Sequence, residues 1–195
     1  MHWQAIPLTV VTVCALFAFT KHEGLVNVFG SSLVREIRYT KFNMNFVNSS
    51  VGTTHSGIRS VRNKHMLYIQ FNTNRTFTKV HMKVSISKCK EYYIDCENVI
   101  LFNITNFCPN FDSIKYYVKT EGEFKITDLC PIHGEKSFTN FTINADYFGA
   151  MFSFPTEKWW ELYWRTWIKL YDQKNSEFLK ATCDFYFVQF RSHHH

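Results

Sequence analysis

The sequence predicts an all-β fold, an antiparallel β-sandwich or β-cup of about seven to nine strands with a short helix or lid segment. Two observations carry this. Apolar and polar residues alternate with period 2 along most of the 195-residue chain, and long 3.6-period stripes do not occur. Gly (7) and Pro (4) are scarce and no repeat or low-complexity segment interrupts the pattern, so there is no point at which to divide the chain.

The elements follow in chain order. Residues 1–20 hold no Asp, Glu, Lys or Arg and carry an apolar run from Ile6 to Phe19 that meets Lys21, His22 and Glu23. This is the shape of a signal peptide cleaved after Thr20, with an uncleaved anchor as the alternative. Residues 21–192 then form a single domain, and 193–195 are a His tail to which no role is assigned. Phe42, Met44 and Phe46 alternate with Lys41, Asn43 and Asn45, and Leu67, Ile69 and Phe71 with Met66, Tyr68 and Gln70. The surest strand places Val80, Met82, Val84 and Ile86 against His81, Lys83, Ser85 and Ser87, as a half-buried antiparallel strand requires.

Cys96 to Asp112 departs from the pattern. Val99, Ile100, Phe102, Ile104 and Phe107 are too dense for a solvent loop, which predicts a short helix or an irregular lid. In Phe138 to Asn144 the alternation places Asn140 and Thr142 outward, with Phe141 and Ile143 inward. From Trp159 to Tyr171 the core face is Trp160, Leu162, Trp164, Ile168 and Leu170, interrupted by Thr166. The opposite face carries Trp159, Tyr163, Trp167 and Tyr171 among Glu161, Arg165 and Lys169, either as cross-strand stacking on a solvated sheet or as an aromatic rim. Last, Leu179, Ala181, Cys183, Phe185 and Phe187 form an apolar face against Lys180, Thr182, Asp184 and Tyr186.

Chemistry narrows the function classes. Four Asn-x-Ser/Thr sequons, at Asn48, Asn74, Asn103 and Asn140, agree with a secreted glycoprotein. Of the six Cys, removal of the signal takes Cys14 and leaves Cys89, Cys96, Cys108, Cys130 and Cys183. An odd number in an oxidising compartment leaves one thiol buried or paired between chains. No C-x2-C pair occurs, so disulfides are a better reading than zinc, and no metal or cofactor is expected. The net charge of +6 is scattered, which argues against nucleic acid and suits an anionic membrane surface or lipid head group. The common catalytic and nucleotide motifs are absent. Cys183 lies on an apolar face, which makes a thiol inert, and the chain is read as not an enzyme. Aromatic residues reach 18%, with 20 Phe, which fits either a Phe-rich core or a cavity lined by rings.

Five stretches carry a resemblance: Lys79 to Val84, Cys89-Lys-Glu-Tyr-Tyr-Ile-Asp-Cys96, Asn106-Phe107-Cys108, Leu129-Cys130-Pro131 and Ala181-Thr182-Cys183. Together they resemble the ML lipid-recognition domain superfamily, nearest to the ganglioside activator protein and the insect CheB-type secreted proteins. The resemblance covers about Val80 to Phe190 and implies pairing of Cys89 with Cys96 and of Cys108 with Cys130. It also implies a partner for Cys183 in the first strand, but Ile37 to Val47 contains no Cys, so Cys183 is left as a free thiol. The family cup admits acyl chains between its sheets. Lining candidates are Leu101, Phe102 and Ile104 on the lid, Phe141 and Ile143 on the next strand, and Phe148, Phe152 and Phe154 in the loop. Trp160, Leu162 and Trp164 lie beyond it.

The expected function is that of a secreted, extracellular, monomeric protein that binds a lipid or hydrocarbon. The resemblance adds a chemosensory, pheromone-related role as carrier or presenter. Its alternatives are a glycolipid activator or transfer protein, or a binding module that acts through its surface on a receptor or membrane without a lipid.

Overall fold

A computed structural model describes residues 32–109, 118–121, 130–152 and 158–192. The signal-peptide and His-tail assignments and the candidate Phe154 fall outside these residues, as does the side chain of Phe152. By its contacts the chain divides into the unit Arg35–Phe190 and a terminal unit, Met1–Val34 with Arg191–His195, described only at 32–34 and 191–192.

The fold is all-β, as the alternation predicts. The strands are β1 (Ser32–Phe46), β2 (Gly52–Val61), β3 (Lys64–Phe77), β4 (His81–Cys89), β5 (Glu97–Ile104), β6 (Val118–Thr120), β7 (Ile132–Ile143), β8 (Tyr163–Tyr171) and β9 (Glu177–Ser192). One short helix, α1 (Ala145–Phe152), follows β7. A five-stranded sheet runs β1-β9-β8-β4-β5 and a four-stranded sheet β2-β3-β7-β6. The β2–β3 hairpin closes through Arg62 and Asn63 at φ 48° and 64°, the left-handed pair that a two-residue turn needs to match strand twist.

The inward faces are those that period 2 selects. Met82, Val84 and Ile86 of β4 lie beside Leu170, Ile168 and Thr166 of β8, and all of Leu179, Ala181, Cys183, Phe185 and Phe187 on β9 are buried. Their apolar area, at roughly 25 cal/mol per Å2 removed from water, is the main force joining the sheets. Tyr39 of β1 ties them in register. Its hydroxyl bonds the Thr142 hydroxyl at 2.9 Å and accepts the Ile143 amide proton at 2.8 Å, both on β7.

Three local expectations are corrected. Cys96 to Asp112 is not led by a helix or lid: Glu97–Ile104 is β5, paired antiparallel with β4 from Lys88↔Glu97 to Met82↔Ile104. Its apolar density reflects an edge strand that keeps apolar residues on both faces. Ile100, Phe102 and Ile104 point to the core, whereas Leu101 lies on the outer face, 70% exposed. Asn140 does not share a free solvent face with Thr142. Ile69 pairs with Phe138 and Leu67 with Phe141, so β7 carries an extra residue there, with Asn140 at φ 56°. This bulge resets the parity: Asn140 is half-buried with its Oδ1 buried and unpartnered, and Thr142 turns to Tyr39. Trp159 belongs with the core because Trp159–Glu161 is a 3-10 turn, where the strand period does not hold.

Candidate binding groove

The Trp159–Glu161 turn positions the entry to β8. The Trp164 indole N–H donates to the Trp159 carbonyl at 2.9 Å, inside the core. Phe148 of α1 then meets Trp164, Phe185 and Phe187 at ring separations of 5.0, 5.3 and 5.4 Å, and Trp159 stands edge-on to Phe187 at 4.7 Å. Gly149 lets the helix reach this cluster, since a Cβ there would run into the Trp159 indole. These contacts close the interior at the end of the five-stranded sheet where β8 begins.

On the rim of that closure lies a groove of about 360 Å3. Trp160, Leu162 and Phe187 supply its apolar side, and Tyr163 and Tyr186, register partners on β8 and β9, form an aromatic wall. Glu91, Glu161 and Gln189 add polar groups. Arg35 stacks over the Trp160 ring at 4.7 Å. With the Gln189 amide turned so that its oxygen faces two donors, that oxygen accepts from Arg35 Nε at 2.9 Å and Trp160 Nε1 at 3.3 Å.

Beside the aromatic wall, Arg165 of β8 grips Asp184 of β9 through two hydrogen bonds of 2.9 Å each, with the Asp184 carboxylate almost wholly buried. The pairing raises the Arg165 pKa, chiefly through the hydrogen bond to Asp184. Tyr93 is carried there by the loop that the Cys89–Cys96 disulfide closes, lies under the Arg165 guanidinium, and packs edge-on to Tyr163 at 5.3 Å. Burial pushes the Tyr93 phenol up to about 12 although Thr40 donates to its oxygen. The Cys108–Cys130 disulfide also forms, and Cys183 is a buried free thiol whose pKa burial drives upward.

The other sequence-derived candidates separate into three groups. Phe148 and Trp164 are fully buried. Phe102, Ile104, Phe141, Ile143, Trp160 and Leu162 are half-covered against the core. Leu101 stands outside on the outer face, and among the described candidates only Trp160 and Leu162 reach the groove. Of the sequons, Asn48, Asn74 and Asn103 are exposed and Asn140 is half-buried. Sequence reasoning missed Glu91, Tyr163, Tyr186 and Gln189 as a group. The available signal was that Arg165 and Asp184 are opposite charges on the outward parities of two aromatic strands.

Two antiparallel sheets, two disulfides and an aromatic-walled groove define a disulfide-bonded all-β protein. Set against protein-family models and curated proteins, the chain matches none. Among the described residues no helix is long and apolar enough to cross a membrane, and no cluster of His, Cys, Asp or Glu is placed to hold a metal.

Proposed function

We propose that the chain is a secreted, extracellular protein that holds a lipid or hydrocarbon between its sheets and presents it, in the chemosensory manner that the ML resemblance implies, without catalysis. The observation that carries this is the partial cover over inward-facing apolar side chains: Phe102 and Ile104 on β5 and Phe141 and Ile143 on β7 pack against the core and are only partly buried. Apolar surface left in this state gains about 25 cal/mol per Å2 when an acyl chain covers it. The disulfides agree with an oxidising compartment. Titration with a fluorescent fatty acid tests the reading. Saturable binding that Phe141→Asp abolishes supports it, and no binding to the wild-type protein refutes it.

A second reading rests on a different observation. Leu101 and Trp167 flank Ser85 on the outer face of the larger sheet, 70% and 41% exposed, an apolar pair that suits a binding module working through its surface. Loss of partner binding in Leu101→Asp, with lipid uptake unchanged, would favour it.

A further inference from the structure

We propose that an N-linked glycan at Asn103 lies back over the outer face of the larger sheet and covers Leu101, with Trp167 as the far wall of its seat. The inference rests on the secreted half of the function proposed above and is independent of the lipid. Val99, Leu101 and Asn103 share the outer parity of β5, and the polypeptide leaves Val99 37% and Leu101 70% exposed. An apolar row of this kind, on a strand with one sheet neighbour among the described residues, associates with other surfaces unless something covers it. The covering group is attached on the face itself. Asn103 opens the sequon Asn103-Ile104-Thr105 and is exposed two residues along from Leu101, so the two Cα atoms are about 7 Å apart and the first sugar begins beside the Leu101 side chain.

Leu101 and Trp167 are both register partners of Ser85, which puts them two strands, or about 10 Å, apart. Ser85 is small and its hydroxyl donates to Asn98 Oδ1 at 3.0 Å, so the row dips between two apolar walls. An N-acetylglucosamine ring carries C–H groups on its faces and a methyl on its acetamide. Laid in the dip, it takes apolar surface out of water at both walls while its hydroxyls stay hydrated. Lys83, the register partner of Asn103, leaves the path clear: its Nζ lies 4.7 Å over the Tyr171 ring, and Tyr171 pairs with His81, on the side of Lys83 away from Ser85. The other exposed sequons are tied down elsewhere. Asn74 Nδ2, the atom that would carry a sugar, donates to the Ser50 carbonyl at 2.9 Å, and Asn48 Oδ1 accepts from the Ser50 amide at 2.8 Å. The Asn103 side-chain amide makes no hydrogen bond among the described residues. A glycan seated here closes the face to a protein partner and so competes with the surface reading.

The test uses the full chain secreted by a eukaryotic host. Glycopeptide mass spectrometry reads the occupancy of each sequon, and thermal melts compare the wild type with Asn103→Gln, Leu101→Ser and the double variant. Asn103 should be occupied, and Asn103→Gln should lower the melting midpoint by about 2–4 °C. In the Leu101→Ser background the same change should lower it by less than about 1 °C, because the glycan has lost its seat. Leu101 and Asn103 are both exposed, so every variant folds. An unoccupied Asn103 beside occupied Asn48 and Asn74, an equal loss in both backgrounds, or no loss in either would overturn the proposal and leave secretion standing. A chain with no glycan at any sequon would overturn it together with the secreted reading.

Discussion

The interior beneath β8 and β9 and the interior beneath β5 are built from the same kinds of residue, yet the first is sealed and the second is only partly covered. Trp164 and Phe185 are 1% and 0% exposed, with neighbouring strands on both sides and Phe148 and Trp159 laid across them by α1 and the 3-10 turn. Phe102 and Ile104 also point inward but sit on a strand with β4 as its one sheet neighbour among the described residues. Coverage follows from position in the sheet and from what is packed across it. Hydrophobic pattern sets only which way a side chain points.

Substitution at the two places should expose the difference. Trp164→Ala should lower the unfolding free energy by about 3–5 kcal/mol, as a cavity in a sealed core does, read from urea unfolding followed by far-UV circular dichroism. Phe102→Ala should cost about 1–2 kcal/mol in the same measurement, because part of its surface is already in water. Equal losses would break the distinction between a sealed and a partly covered interior.

Much of this contrast was legible in the sequence and part was not. Alternation correctly assigned the inward faces of β4 and β9, because a residue's side of a strand depends only on parity. It failed at Asn140, where one extra residue in β7 resets parity, and at Trp159, where a 3-10 turn ends it. It misread β5 as a lid because apolar residues on both faces of an edge strand hide the period. The groove was not legible because Glu91, Tyr163 and Tyr186 meet through strand register and a disulfide loop, neither of which local pattern reveals. The family resemblance did place both disulfide pairs.

A smaller effect sharpens the comparison on the outer face. Asp184→Asn should cost about 2 kcal/mol, below the usual loss for breaking a buried pair, because the Arg165 partner is partly exposed. Thermal melts at two salt concentrations would check it. The loss should change little with salt, since the carboxylate is shielded from solvent.

Alkaline pH probes the sealed side more gently. Burial holds the pKa values of Cys183 and Tyr39 above their unfolded values of about 8.5 and 10, so both favour the folded chain while protonated. Their contribution is complete below about pH 8.5 and is lost as pH rises above it, where the unfolded state ionises first. Cys183→Ala should flatten the fall in stability between about pH 8.5 and 10, leaving the later fall due to Tyr39. In the native protein the Cys183 thiol should resist a disulfide reagent at pH 8 until urea unfolds the chain.

The central claim is that the half-covered interior holds an apolar ligand. Native mass spectrometry of the glycosylated protein, followed by organic extraction and identification of what is released, tests it most directly. The account predicts a bound lipid or hydrocarbon at close to one per chain, or its uptake from added lipid, and loss of that mass in Phe141→Asp. A chain that neither carries nor takes up any apolar molecule would contradict it.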